Sequence, residues 1–168
     1  MEPAESREVF RGTLIRVEVE SWPAGEREVV RHPGACGIVA MTADGEVLLV
    51  RQTREAIRAD ILEIPAGVLD VPGEQAAACA ARELEEETGY AASDVRPLAM
   101  IHTSPGFTDE VIHLFTARAS PAAGRTPEHG IEVVPMPLGE AVGAVRDGRI
   151  TDAKTAVALL LTAERRGQ

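Results

Sequence analysis

Residues 67–90 read G-V-L-D-V-P-G-E-Q-A-A-A-C-A-A-R-E-L-E-E-E-T-G-Y, and this stretch governs how the rest of the chain is understood. Pro72-Gly73 marks a turn, and the run rich in Ala, Leu, Glu and Arg after it predicts a helix from about Gln75 to Thr88. Gly89 suits the left-handed position just past a helix end. Glu83 stands three residues before Glu86 and four before Glu87, so the three share one flank, while Glu85 falls near the opposite side. Neighbouring carboxylates on such a flank lie roughly 5–6 Å apart and repel by roughly 3 kcal/mol at an effective dielectric of about 20. Arg82 can relieve part of this by pairing with Glu86 one turn on. A solvated surface helix can carry a charge run of this kind. Acid gathered on one flank also suits a divalent cation, because Mg²⁺ and Mn²⁺ take hard oxygen ligands.

The wider spacing separates these two readings. The order Gly67, Glu74, Arg82-Glu83-Leu84, Glu86-Glu87, Gly89-Tyr90 resembles the Nudix hydrolase signature, Gly-x5-Glu-x7-Arg-Glu-U-x-Glu-Glu-x-Gly-U with U apolar. There is one departure: six residues, not five, separate Gly67 from Glu74. The extra residue falls in the turn before the helix, where a longer loop costs little and leaves the glutamate register intact. The resemblance implies the Nudix fold, an α/β (α+β) protein built as an α/β/α sandwich with a mixed central β-sheet. It also implies two or three Mg²⁺ or Mn²⁺ ions per site. Carried over position by position, Glu83, Glu86 and Glu87 and the carbonyl of Ala66 are the metal ligands, with Glu86 a third ligand or a sharer of the base role. Glu74 and Arg82 then orient those carboxylates or the turn.

At 168 residues and 45% apolar content the chain is expected to form one domain with a substantial core. A formal charge of −10 argues against non-specific binding to nucleic acid or an anionic membrane. No apolar run approaches the roughly 18–20 residues that span a bilayer, and Met1 to Arg11 lacks signal-peptide character. Cys36 and Cys79 stand in apolar surroundings without metal-ligand spacing. Both are expected as buried free thiols, which points to a reducing cytoplasm.

Ahead of the signature, Glu8 to Val30 predicts an antiparallel β-hairpin turned at Pro23-Ala24-Gly25. Pro33-Gly34 closes it, dividing the chain into an N-terminal hairpin region, 1–34, and a Nudix domain, 35–168. Cys36–Met41 and Val47–Gln52 flank an Asp44-Gly45 turn, and their nearly continuous apolar character predicts strands covered on both faces. Arg51, Gln52, Arg54 and Arg58 form a cationic run, and Arg51 and Arg54 are candidates for phosphate, since a planar guanidinium suits bidentate contact. Beyond the helix, Val95–Thr103, Val111–Ala117 and Glu132–Met136 read as strands, and Leu138–Arg146 and Asp152–Arg165 as closing helices.

Ser104-Pro105-Gly106-Phe107, in the run S-P-G-F-T-D-E, is a tight turn on its own chemistry. Its proline, about fifteen residues past the signature, resembles the mark of the ADP-ribose pyrophosphatase branch of Nudix hydrolases. That resemblance implies hydrolysis of ADP-ribose to AMP and ribose 5-phosphate, or of a related nucleoside diphosphate sugar. It also implies a homodimer through the N-terminal region, with Arg27 and Glu28 reaching the partner's site. Another nucleotide sugar, a dinucleotide cofactor or a nucleoside triphosphate stays open as substrate, as does a non-catalytic nucleotide sensor. For the general base, three further candidates stand besides Glu86: Glu128 and His129 in the loop before the last strand, and Glu110 beside the Ser-Pro-Gly turn. Trp22 and Phe107 are the aromatics available for an adenine ring.

Overall fold

A computed structural model describes residues 1–167. The sheet is organised by two strands, β4 (Ala35–Met41) and β5 (Glu46–Arg54). Their side chains alternate between two separate cores. Cys36, Ile38, Ala40 and Leu48 enter one, and Val39, Met41, Val47 and Leu49 enter the other. All eight are buried. A strand with apolar cores on both faces has no polar side, which is why these segments lack polar/apolar alternation.

Around them stand β6 (Ala59–Glu63), β7 (Ala66–Val68), β8 (Tyr90–His102), β9 (Val111–Pro121) and β10 (Glu132–Pro137). The seven-stranded sheet runs β10-β5-β4-β9-β8, with β6 on β5 and β7 on β4. The β4–β9 pair is parallel and the other pairs are antiparallel, so the sheet is mixed. Helix α1 (Ala76–Thr88) covers one face through Cys79, Ala80 and Leu84. Helices α2 (Leu138–Arg146) and α3 (Ala153–Arg166) cover the other through Leu138, Ala141, Val142, Ala158 and Leu159. This is the expected α/β/α sandwich.

The helix ends follow local chemistry. Gly89 adopts φ 74°, and its N–H reaches the Glu85 carbonyl, ending α1 in a left-handed cap. Asp152 caps α3 by accepting from the Thr155 N–H.

The N-terminal region departs from a simple hairpin. β1 (Glu5–Arg11) pairs with β2 (Arg16–Trp22), which pairs with β3 (Gly25–Arg31), giving a three-stranded antiparallel sheet. Every residue of β1 is exposed, so its sequence carries no buried face from which a strand could be read. This sheet grips the large one through the 104–109 loop. The Val30 N–H donates to the Phe107 carbonyl at 2.7 Å, and the Asp109 N–H to the Val30 carbonyl at 3.2 Å.

Thr155, fully buried in α3, accepts from the Ile64 N–H at 2.9 Å and so ties α3 to the residues before β7. Thr155→Val keeps the shape and orphans that donor. Urea denaturation should show a loss of about 1–3 kcal/mol.

Candidate active site

The acidic flank of α1 folds over β7. Gly67 lies directly beneath Glu83: a Cβ built on it would come within 2.0 Å of the Glu83 Cδ and Oε1. Any side chain at position 67 would push the Glu83 carboxylate out of this place. Glu87 turns back to the same strand, where its Oε2 accepts from the Ala66 N–H at 3.2 Å. Two carboxylates of one helix are thus laid across the Ala66-Gly67 backbone.

Arg82 holds the rest of the set. Its Nε and Nη2 donate to both oxygens of Glu74, each at 3.1 Å. Its Nη1 donates to Glu83 at 2.7 Å and to Glu86 at 2.9 Å. The hydrogen bonds from Arg82 hold the Glu74 carboxyl below the usual carboxylate range. Burial acts the other way on the inner pair. It raises Glu83 against the pull of Arg82, and it pushes Glu87 up to about 8 despite the Ala66 N–H.

Behind this flank lies a buried ion cluster. Glu63, 1% exposed, accepts from Arg54 Nε at 2.7 Å and Nη2 at 3.2 Å, and it also takes Lys154. Lys154 in turn meets Asp152 at 3.0 Å. Arg54 adds positive potential at Glu87, while Glu63 and Glu83 add negative.

The donor set suits a hard divalent cation. It offers carboxylate oxygens from Glu83, Glu86 and Glu87 beside the Ala66 carbonyl, and burial has already raised two of those carboxyls. Among the described residues no three His, Cys, Asp or Glu side chains converge on a common point. The reason is visible: Arg82 draws Glu83 and Glu86 to itself, and the Ala66 N–H holds Glu87.

A family model described as the NUDIX domain matches residues 30–159. The chain belongs to the Nudix family. The ADP-ribose pyrophosphatase of Bacillus subtilis (strain 168) is 38% identical over 161 residues, covering 90% of this chain and 86% of the relative. The methanol dehydrogenase activator of Bacillus methanolicus is 37% identical over 164 residues, covering 92% and 88%. A crystal structure of an ADP compounds hydrolase superposes with a TM-score of 0.82 at 26% identity, covering 100% of this chain and 96% of that one.

The remaining candidates of this Nudix chain are spread over several elements of the fold. Glu128 lies beside the acidic helix: its N–H donates to the Glu86 carbonyl at 3.0 Å, and both line an open cleft of about 340 Å³ with Arg125. His129 is its exposed neighbour. Ser104, Pro105, Gly106 and Phe107 form a turn in which the Phe107 and Thr108 N–H groups both donate to the Ser104 carbonyl at 3.1 Å. Glu110 accepts from the Thr103 hydroxyl at 2.7 Å and lies 3.6 Å from His32 Nδ1, so it faces the N-terminal sheet. Arg27 and Glu28 are exposed on β3. Arg27 donates to the carbonyls of Glu26 and Ala24. Arg51 pairs with Glu132 at 3.0 Å on the β5–β10 edge, and the Trp22 indole donates to Glu20 at 2.9 Å.

Glu63, Lys154 and Asp109 are the residues that sequence reasoning passed over. Glu63 carried one signal, an acid inside the apolar run Ile61–Ile64, and Lys154 another, as the only lysine of the chain.

Two outcomes follow from this geometry. Gly67→Ala should displace Glu83 and lower turnover by at least tenfold in steady-state assays, with a small change in melting temperature. Glu87, raised when folded, favours the folded state most below about pH 4.5, and this contribution is lost as pH rises towards about 8. Metal-free protein should lose on the order of a few kcal/mol across that window in denaturant titrations, and Glu87→Gln should flatten the dependence.

Proposed function

We propose that this Nudix hydrolase cleaves the diphosphate linkage of ADP-ribose to AMP and ribose 5-phosphate, with Mg²⁺ or Mn²⁺ held by Glu83, Glu86, Glu87 and the Ala66 carbonyl. The observation that carries the reading is the pair of carboxylates, a half-buried Glu83 and a buried Glu87, laid across Ala66-Gly67. Bound there, two or three divalent ions would supply charge neutralisation at the diphosphate and acidify water for attack on phosphorus. The protein's own part is positional. Arg82 spaces the carboxylates and Glu74 steadies Arg82. Glu128, beside Glu86, is the base candidate best placed to take a proton from the attacking water, ahead of His129 and Glu110.

The substrate choice draws on two features. The Ser104–Phe107 turn is fastened to β3 and leaves Phe107 exposed, which supports its use as a surface for a base or sugar. The Bacillus subtilis relative is named for ADP-ribose, and the superposed structure for ADP compounds. Arg54 and Arg51 are proposed to meet phosphate, although each now has a carboxylate partner that substrate would have to share.

Residues 1–34 are proposed as a dimerisation region, so that Arg27 and Glu28 of one protomer reach the site of the other. Val9, Phe10 and Leu14 are exposed apolar side chains on and beside β1, which fits a second copy. Among the described residues no helix is long and apolar enough to cross a membrane. A cytoplasmic location is proposed, in keeping with two buried cysteines that form no disulfide in this structure.

The test is a metal-dependent substrate panel of ADP-ribose, nucleotide sugars, a dinucleotide cofactor and a nucleoside triphosphate, read by nucleotide chromatography. ADP-ribose should be cleaved fastest, and chelation should abolish turnover. Glu83→Gln and Glu87→Gln should each lower kcat by roughly two to four decades while the circular dichroism spectrum is kept. Preference for a triphosphate would overturn the substrate, and near-normal turnover in both variants would overturn the chemistry.

A further inference from the structure

The two cysteines of the chain are separated by 43 positions, yet their sulfurs stand 2.8 Å apart. Cys36 lies on β4 and Cys79 on α1, and both are 0% exposed. They belong to the core beneath the acidic flank, packed with Ile38, Ala80 and Leu84. Neither thiol is spent on a metal or on the diphosphate chemistry. Cys36 Sγ donates to the Gly67 carbonyl at 3.5 Å, and Cys79 Sγ to the Val68 carbonyl at 3.6 Å. The pair therefore sits directly under the strand on which Glu83 and Glu87 rest. Arg82 Nη2, from the clasp above, comes within 3.6 Å of Cys79 Sγ.

We infer that Cys36 and Cys79 are an oxidisable dithiol that closes to an intramolecular disulfide, covalently clamping the first turn of α1 to β4 under the acidic flank. The sulfurs must move together by less than about 1 Å to reach bonding distance. The oxidant is a peroxide. A Cys79 or Cys36 sulfur attacks one peroxide oxygen, the O–O bond breaks, and the departing hydroxide takes the thiol proton and leaves as water. The second sulfur then attacks the resulting sulfenic acid, the S–O bond breaks, and a second water leaves with the remaining thiol proton. Two thiols are oxidised by two electrons and one peroxide is reduced to two waters. Burial pushes both thiols up, so the pair stays largely protonated and reacts slowly, as local opening admits the oxidant.

The clamp closes a long loop, so the oxidised form should be the more stable one. Reduced protein is incubated with hydrogen peroxide, quenched, unfolded with N-ethylmaleimide present and weighed intact. The expected result is loss of both alkylation sites and a mass lower by about 2 Da, in a monomeric chain. Melting temperature should rise by roughly 5–10 °C and return on treatment with dithiothreitol. Cys36→Ser should show no such rise. If that variant fails to fold, the mass of the wild-type protein still decides. Two alkylatable thiols after prolonged oxidation just below the melting temperature would overturn the inference. So would oxygen adducts, or cross-linked dimers, in place of the internal bond.

Discussion

Carboxylates on one helix flank repel, and this fold nevertheless presses them together against a strand. At the spacing of i and i+4 the cost is roughly 3 kcal/mol per pair at an intermediate dielectric, and burial makes it larger. The chain meets that cost with a single guanidinium. Arg82 reaches Glu74, Glu83 and Glu86 at once, so one cation offsets three anions at the rim. Burial raises the deeper Glu87 carboxyl to about 8, and the Ala66 N–H and Arg54 only partly oppose it. The remaining imbalance is repulsion that the fold has not removed itself and that added positive charge would relieve.

The sheet supplies the rigidity that such an arrangement needs. β4 pairs with β7 through Ala35–Gly37, and α1 packs on β4 through the Cys36, Cys79 and Leu84 core. From the opposite face, Thr155 and Lys154 of α3 hold Ile64 and Glu63, and Arg54 of β5 holds Glu63 from within the sheet. The backbone before Ala66 is therefore fixed from both sides of the sheet. Breaking the Glu63 cluster would leave buried charge without a partner, which costs more than the intact cluster contributes.

Elements whose signal is local were legible from residues alone. α1 was readable because its acids repeat at three and four and Gly89 ends it. β4 and β5 were readable because burial on both faces leaves an unbroken apolar run. β1 was not, because E-S-R-E-V-F-R has no buried face to alternate. Nor were β6 and β7 separable, since Pro65 interrupts one short run that the sheet divides between β5 and β4. The Glu63–Lys154 pair spans 91 positions and the Arg31–Asp109 pair 78, and sequence spacing carries nothing about either. In the site itself, helical register gave the carboxylates. The contact between Gly67 and Glu83 needed the fold, because it depends on how closely a helix is laid on a strand.

That last kind of contact also governs the N-terminal sheet. Arg31 donates to Glu18 at 2.8 Å and to Asp109 at 3.1 Å, and it pairs with the buried Glu20. Asp109 in turn accepts from the His32 N–H at 2.9 Å. These bonds, with the two backbone bonds at Val30, hold the Ser104–Asp109 loop to β3. The loop is thus positioned by residues that precede the large sheet in sequence, and its conformation cannot be independent of theirs. A change in the small sheet, such as the docking of a second copy on its exposed apolar edge, would reach Phe107 through hydrogen bonds already made. The small sheet therefore helps set the conformation of the Ser104–Asp109 loop, and the coupling runs through Arg31, whose charge both sides share.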